Sequence, residues 1–388
     1  MPCQRPKDEA GEIVSKLIGL LCNRGLRHPL FCIYVVLLAA VVAWPYVSSA
    51  PTSLDVMVGN YLINLESTRD AARNITRSEI PNSAEIAALL EDQADVIGQM
   101  DGADDGDLVS LMARWEEDNR ELAALGFAYD DIPAYRQAMS QTVLVLNELE
   151  DPQLFGSCPE EPTLYYFCEV MGSMPWMCWC VSVVVALVAL KPLLGRGGLI
   201  EQAPLRQWKK LLSLFAVLLA LSLGAILVAW IPVTVAAALR NGWGDLAYPI
   251  ANVVDMTAGE AVITTTLSSC VLADLVLMLL VTALLCGCAV GLSYCLGGGS
   301  KTPVVLLLII ALPALQRFVG LPAAVARWSP FTYFDTSVFA GVPTYQGFEL
   351  FRPDGATWKT GSAVLGLLGS MVLGSTLTAA KLKPRYRL

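Results

Sequence analysis

The sequence predicts an all-α membrane protein, with a six-helix transmembrane bundle and a helical extracytoplasmic domain inserted between the first and second spans. Of the 388 residues, 55% are hydrophobic and only 16% are charged, whereas soluble domains carry about 25% charged residues. The mean hydropathy is +0.55. Six apolar runs are long enough to cross a bilayer, which takes roughly 20 residues per helix. Most of the chain is therefore expected to lie in a membrane.

The six predicted spans follow from hydropathy. The third and fourth are longer than one straight crossing requires, so we expect them to tilt, to kink at Pro232 or to extend past the interface. The predicted spans are Pro29–Val47, Pro175–Leu194, Leu211–Leu239, Ala261–Leu296, Pro303–Pro322 and Gly361–Ala380.

Charge divides the chain into two parts that indicate two environments. Residues 51–172 hold 24 acidic and 6 basic residues, whereas the rest holds 11 acidic and 20 basic ones. Four segments that alternate across the six spans hold 15 of the 26 basic residues. The positive-inside rule therefore predicts a multi-pass protein of the cell membrane with both termini in the cytoplasm. The predicted domains are a cytoplasmic segment (1–28), the first span (29–50), an acidic helical extracytoplasmic domain (51–172) and a five-span core (173–388).

The N-terminal segment predicts an amphipathic helix followed by a retained span. Ile13, Leu17, Leu20 and Leu21 recur at helical spacing, which is typical of a helix at the membrane interface. The alternative is a secretory signal peptide, because residues 47–50 resemble a cleavage site. Retention is favoured, since a proline would follow the cut and the preceding basic region is very long.

The acidic insert predicts three helices. Asn82, with Glu85 three residues later, resembles a capping box. A second helix follows from the apolar spacing between Leu108 and Leu122, and Asp131 and Pro133 open a third. No carboxylate spacing in the insert matches a calcium loop. We therefore interpret the acidity as a solvated face and expect no metal.

The eleven cysteines do not indicate a disulfide scaffold. Eight lie in or beside the spans and in the adjacent N-terminal segment, where small apolar packing is their expected role. Cys158 and Cys168 differ, because both lie in the insert near its junction with the second span. A disulfide between them is compatible with an extracytoplasmic location, but spacing alone does not establish the geometry.

Two polar features lie within the predicted spans. Asp274 in the fourth span is a candidate functional acid, and the alternative is a polar residue that hydrogen-bonds across helices or faces an outer water-filled cleft. The last span carries small residues at a spacing of four, including Gly366, Ser370 and Gly374. This stripe predicts close packing against another span or a second subunit.

Enzyme chemistry is not indicated. The chain has one histidine, and the metalloprotease, nucleophile-elbow and zinc-site patterns do not occur. No phosphate-binding loop of the GxxxxGK[ST] type occurs either, so we expect no ATP site, no cofactor and no enzyme activity in this chain.

The loop 195–210 between the second and third spans is polar and partly basic. Pro204 can initiate a short helix there, and Glu201, Arg206, Trp208 and Lys209 offer charge and an aromatic ring to a soluble partner. Residue chemistry alone favours an ordinary juxtamembrane segment that is held by anionic lipid. The attraction to such lipid contributes about 1 kcal/mol per basic residue.

Three segments, in the expected order and on the expected sides of the membrane, resemble the ABC-2-type permeases of ABC exporters. The first cytoplasmic loop carries a Gly, a Glu, an Ala-Pro pair, an Arg and a Lys. A tyrosine-proline segment follows the third span, and an aromatic segment precedes the last. The matching residues are Gly198, Glu201, Ala203-Pro204, Arg206, Lys209 or Lys210, Asp245–Ile250 and Ser329–Asp335.

The resemblance implies a permease subunit of an ATP-driven exporter. A separate ATPase would bind ATP and magnesium, and a second permease subunit, identical or homologous, would complete the transporter. Glu201, Arg206, Trp208 and Lys209 would contact the ATPase, membrane lipid would surround the spans, and no nucleic acid is expected. The alternative is a membrane-anchored sensor or scaffold whose ectodomain binds an extracellular ligand. Recovery of an ATPase with the chain separates the two hypotheses.

Overall fold

The protein is mostly helical, as its composition predicts, and the computed structural model builds it around a group of long apolar helices. The structure describes residues 7–48, 54–76, 81–103, 105–125, 141, 144–145, 148–149, 161–173, 176–194, 199–256, 259–296, 301–336, 339 and 352–382.

The helices and strands are numbered here in chain order. The first helices are α1 (Lys7–Leu26), α2 (Pro29–Ser48), α3 (Leu54–Ile75), α4 (Ser83–Met100), α5 (Asp105–Ala124), α6 (Thr163–Ser173), α7 (Trp176–Leu194), α8 (Leu199–Gln202) and α9 (Gln207–Asn241). They are followed by β1 (Pro249–Met256), β2 (Gly259–Thr266), α10 (Leu267–Leu296), α11 (Lys301–Val319), α12 (Ala323–Ala326), a 3-10 turn (Pro330–Tyr333) and α13 (Trp358–Leu382).

Five helices of the described part are long and apolar enough to cross a membrane, namely α2, α7, α9, α10 and α13. They correspond to the first four predicted spans and the last one. The remaining predicted span corresponds to α11, whose apolar stretch, Lys301–Gln316, is shorter. A six-span arrangement therefore stays a prediction, whereas a chain with several membrane-length helices is confirmed.

A β-hairpin interrupts the predicted all-α pattern. β1 and β2 pair antiparallel, with Pro249 opposite Thr266 and Met256 opposite Gly259. The predicted start of the fourth span at Ala261 is wrong, because that residue lies in β2 and the helix begins at Leu267. The run of threonines that ends β2 explains the difference, since β-branched residues favour a strand.

The bundle core is centred on α9. This helix contacts α1, α2, α7 and α10, and α13 packs mainly on α10. The predicted N-terminal amphipathic helix forms within α1, where Leu17 and Leu21 are buried while Leu20 is exposed. The apolar face of α1 thus packs on other helices of the chain. Near its end Gly25 allows close approach, because a Cβ there would lie 2.6 Å from Cδ1 of Leu221 in α9.

α10 and α13 approach each other at small residues, but not at the stripe predicted from the sequence. A Cβ added at Gly291 of α10 would lie 3.1 Å from Oγ1 of Thr376 in α13. Among the described residues, a Cβ at Gly366 or Gly374 would meet nothing within 4 Å, and Ser370 is exposed. Within the described residues the stripe therefore makes no close helix contact, and its packing against another span or a second subunit stays a prediction.

The acidic insert contains the antiparallel helices α3, α4 and α5, which pack in sequence. The second predicted helix forms as α5, with Leu108 and Leu122 buried. The first begins at Ser83, as expected, but the capping box is wrong. Asn82 adopts a left-handed φ of 60° and its side chain makes no cap hydrogen bond. The third predicted helix, opened by Asp131 and Pro133, lies outside the described residues.

A polar cluster joins α4 to α5, with Gln93, Asn119 and Asp118 buried and the pair of Arg114 and Asp92 partly exposed. Gln93 donates from Nε2 to Oδ1 of Asn119 at 2.7 Å, and Arg114 donates to Asp92 in two hydrogen bonds. Asp118 is buried beside them. The pKa of Asp118 is raised to about 6, mainly by burial and also by the neighbouring Asp92, while Arg114 acts in the opposite direction.

The 3-10 turn packs closely against the start of α13. A Cβ added at Gly361 would lie 2.7 Å from Cε1 of Tyr333, and the ring of Tyr333 is fully buried. Only glycine therefore fits at this position without displacing the ring.

We predict that the stability of the α4–α5 pair falls with rising pH because of Asp118. Its folded pKa of about 6 exceeds the ordinary value of 3.8. At pH values below the ordinary pKa of 3.8, the stability that the protonated carboxyl contributes is therefore fully present. It is lost as the pH rises through the folded pKa of about 6. Hydrogen exchange of α4 and α5 in the full chain, corrected for intrinsic rates, should show protection declining between these two values.

Asp118→Asn should flatten this pH profile. The control is Asp95→Asn on the exposed side of α4, where the aspartate side chain is 72% exposed. A wild-type slope in Asp118→Asn would show that another group causes the decline.

We predict that Gly361→Ala destabilises the protein, because overpacking against a buried ring costs about 1–3 kcal/mol. Gly224→Ala in α9 is the matched control, since a Cβ there meets nothing within 4 Å among the described residues. Thermal melting in detergent should give a lower transition for the first variant only. Equal transitions for the two variants would contradict the tight packing at Tyr333.

Candidate functional site

The loop that precedes α9 consists of one helical turn, a bend and the start of the next helix. The turn is α8, and the amide of Ala203 extends it by donating to the carbonyl of Leu199 at 3.1 Å. The bend that follows contains Pro204. Arg206 is then extended, with φ −63° and ψ 146°, before α9 begins. Pro204 therefore does not initiate a helix of its own, because the helical turn lies before it and α9 begins after the bend.

The loop is fixed to the bundle by burial and by one hydrogen bond. Ile200 is fully buried, and Lys210 is only 9% exposed. The amine of Lys210 donates to the backbone carbonyl of Glu201 at 2.8 Å, which ties the first turn of α9 back to α8. Further apolar side chains of the loop pack on the bundle core, namely Leu199, Ala203, Leu205 and Trp208.

The solvent-facing part of the loop carries charge. Pro204 and Arg206 are exposed, while Glu201, Trp208 and Lys209 are half-buried. The amine of Lys209 lies 5.6 Å from the ring centroid of Trp208, a distance that permits a cation–π contact. All four predicted coupling residues thus lie in one short loop, with Arg206 the most accessible charge among them. Such a surface can dock on an acidic or mixed-charge patch of a soluble protein.

Lys210 has a structural role that the sequence analysis did not assign. It was grouped with Arg206 and Lys209 as a charge offered to a partner, but its amine is held inside the chain. A signal was present in the sequence, because Lys210, Leu214 and Val217 follow helical spacing and all three are buried. A basic residue in phase with an apolar stripe is expected to bend its amine toward a nearby carbonyl.

Asp274 lies in the interior of the bundle. It is fully buried in α10, with Cys168 of α6 and Thr336 beside it and Cys270 one turn away. Its carboxyl oxygens have no hydrogen bond of good geometry within the described part of the chain. Asp274 thus lies among residues of other elements, and its role as a functional acid stays a prediction. Asp274 is far along the chain from the loop, at the other end of the bundle.

The predicted pairing of Cys158 with Cys168 stays untested, because Cys158 lies outside the described residues. Cys168 itself carries a free and fully buried thiol. Burial raises the pKa of this thiol well above its ordinary value, and the neighbouring Asp274 and Cys270 add to the effect. The thiol is therefore protonated and unreactive in this environment.

Comparisons with known proteins assign no family to the chain. No family model, no curated protein and no solved structure matches it. In the ranges that the structure describes, no group of three histidine, cysteine or acidic side chains is arranged to hold a metal ion. The loop before α9 and the interior acid Asp274 are therefore characterised by their own geometry alone.

We predict that Lys210→Met loosens the loop without unfolding the bundle. Losing a charged hydrogen bond of this kind costs about 1.5–3 kcal/mol, while the methionine keeps the apolar stem. Hydrogen exchange of α8 and the bend should become about tenfold faster or more. Lys209→Met is the matched control, because its amine lies over an aromatic ring. Equal exchange in both variants would show that Lys210 does not anchor the loop.

Proposed function

We propose that the chain is the membrane permease subunit of an ATP-driven exporter, with the loop before α9 as the contact for a separate ATPase. The observation that carries this proposal is the combination of an anchored loop and an exposed Arg206 at the start of a membrane-length helix. The resemblance of this loop to the ABC-2-type permeases supports the same conclusion. The ATPase would bind ATP and magnesium, because this sequence carries no phosphate-binding loop.

The packing of α9 suggests how movement at the loop would reach the membrane. α9 has 35 residues and contacts α1, α2, α7 and α10. Close-packed interiors transmit displacement rather than absorb it. A partner that pushes on the exposed face of the loop would therefore shift α9 as a unit, because Lys210 and Ile200 fix the loop to the helices. The spans around α9 would then rearrange between two discrete packings.

The proposed transporter has six spans in each permease subunit, with both termini in the cytoplasm of the cell membrane. The fifth of these spans is α11, whose 19 residues extend about 28 Å at 1.5 Å per residue, close to the roughly 30 Å hydrocarbon core. A second permease subunit, identical or homologous, would complete the transport pathway across the membrane. The open stripe of Gly366, Ser370 and Gly374 on α13 is a candidate contact for that subunit, since small residues permit close helix approach.

We predict that Arg206→Glu uncouples the ATPase. The native complex would first be isolated by affinity purification from its own membrane, with the ATPase identified in the eluate. In the reconstituted complex, reversing this exposed charge should lower transport-coupled ATP hydrolysis about tenfold or more, which corresponds to a loss of about 1.4 kcal/mol of interaction. The yield and melting of the permease should be unchanged, because the Arg206 side chain is exposed.

The matched control is Arg240→Glu, an exposed arginine at the opposite end of α9, which should leave ATP hydrolysis unchanged. Equal losses from the two variants would argue against a specific contact at the loop. Purification that recovers no ATPase, together with ligand binding by the ectodomain, would favour the sensor hypothesis instead.

A further inference from the structure

An apolar cleft lies at the end of the bundle opposite the loop before α9. It is formed where the last turns of α11 meet α12 and the 3-10 turn, and its volume is about 430 Å³. This volume falls within the roughly 300–1,000 Å³ of small-molecule sites. The residues that line it are Leu312, Leu315, Gln316, Val319, Leu321, Val325, Trp328, Ser329 and Phe331.

The lining of the cleft is accessible from the surface of the bundle. Leu315, Val319, Val325 and Trp328 each expose more than half of their surface. Leu315 and Val319 lie on α11, an apolar helix, and face hydrocarbon in the proposed arrangement, in which this helix crosses the membrane. The polar lining is already satisfied, because Gln316 hydrogen-bonds to the hydroxyls of both Ser329 and Thr332. The cleft therefore offers an apolar wall and few free polar groups.

A positive charge lies at the edge of this cleft. The guanidinium carbon of Arg327 is 5.4 Å from the ring centroid of Trp328, which lines the cleft. The Nε of Arg327 is buried without a hydrogen-bond partner in the described part of the chain. Arg327 also forms no ion pair with a described residue. Arg327 as a whole is only half-buried, so an anionic acceptor at the edge of the cleft would add a charge-assisted hydrogen bond to its guanidinium group.

A second guanidinium lies close to the first. Arg352 packs over the ring of Phe339 at 5.4 Å, and its Nε donates to the carbonyl of Ala356 at 2.6 Å. Burial lowers the pKa of Arg352. Burial raises the pKa of Tyr333, while the charges of Arg352 and Arg327 oppose that shift, so both guanidinium groups lie near this ring. Two guanidinium groups therefore lie beside one buried ring.

We propose that the cleft binds the acyl chain of an anionic phospholipid, with the lipid phosphate held by Arg327. The apolar lining suits a hydrocarbon chain, and the arginine fork matches two phosphate oxygens. Trp328 lies between the two parts, where an amphipathic ring is favoured at a membrane interface. A zwitterionic lipid would fit the apolar wall equally well, but its cationic headgroup would be repelled by Arg327 and Arg352.

The proposed lipid site also explains why two arginines lie on the outer side of the membrane. In the proposed orientation Arg327 and Arg352 lie on the outer side, where the positive-inside rule disfavours arginine. A specific contact with a lipid phosphate gives these residues a reason to remain there. The site requires neither an ATPase nor a transported substrate, so it is independent of the proposed function.

The test is lipid retention by the purified full chain, measured by native mass spectrometry. The detergent solution contains equal amounts of phosphatidylglycerol and phosphatidylcholine with identical acyl chains. The wild type should retain phosphatidylglycerol at least fivefold in excess of phosphatidylcholine. Arg327→Gln should bring this ratio close to one, whereas Leu315→Trp, which fills the cleft, should reduce the retention of both lipids.

Two control variants separate this site from general effects. Arg240→Gln removes an exposed arginine at the same end of the bundle, and Leu308→Trp alters an exposed side chain of α11 outside the lining. Both should keep the wild-type ratio. Circular dichroism melting of each variant confirms that it is folded.

Three outcomes would overturn the proposal. The first is an equal retention of the two lipids by the wild type. The second is a ratio in Arg327→Gln that equals the ratio in Arg240→Gln. The third is displacement of the lipid by inorganic phosphate or glycerol phosphate alone, which would identify a site for a free anion in place of a lipid.

Discussion

The burial of α9 against its neighbours is the interaction on which the rest of the structure depends. α9 is the longest helix of the described part and contacts α1, α2, α7 and α10. Its buried positions, from Leu211 to Ala237, run nearly its full length. In a membrane these contacts rest on close packing rather than on the hydrophobic effect, because lipid tails are as apolar as leucine. Whatever fixes the position of α9 therefore fixes the arrangement of the bundle.

Much of this architecture could be predicted from the sequence, because hydropathy reports membrane-length helices directly. The hairpin could not, since Ala261 and the threonines after it are apolar enough to extend the fourth span by hydropathy alone. Only pairing with β1 reveals them as a strand. The sequence also did not predict which face of α13 packs on α10. Gly369 and Thr376 face α10, whereas a Cβ at Gly366 would meet no described residue within 4 Å.

In the loop before α9, the sequence likewise predicted the overall character but not which side chains are buried. Its composition predicted a charged surface, and Arg206 is indeed exposed. Sequence alone did not separate Arg206 from Lys210, because both are basic residues in one short segment. Their difference arises from helical phase. Lys210 lies on the stripe that faces the bundle, whereas Arg206 precedes the helix and has an extended backbone.

The buried Lys210 is more informative than the exposed charges around it. A lysine near the first turn of a helix is disfavoured by the helix dipole, and desolvation of its amine adds to that cost. The hydrogen bond to the carbonyl of Glu201 and the charge of that residue offset part of this cost. A methionine or leucine would fill the same position without burying a charge but would not tie α9 to α8, so packing of the bundle alone does not explain the lysine. A rigid connection between α8 and α9 does explain it, because a loop that yields when pushed would absorb the movement that α9 is proposed to carry.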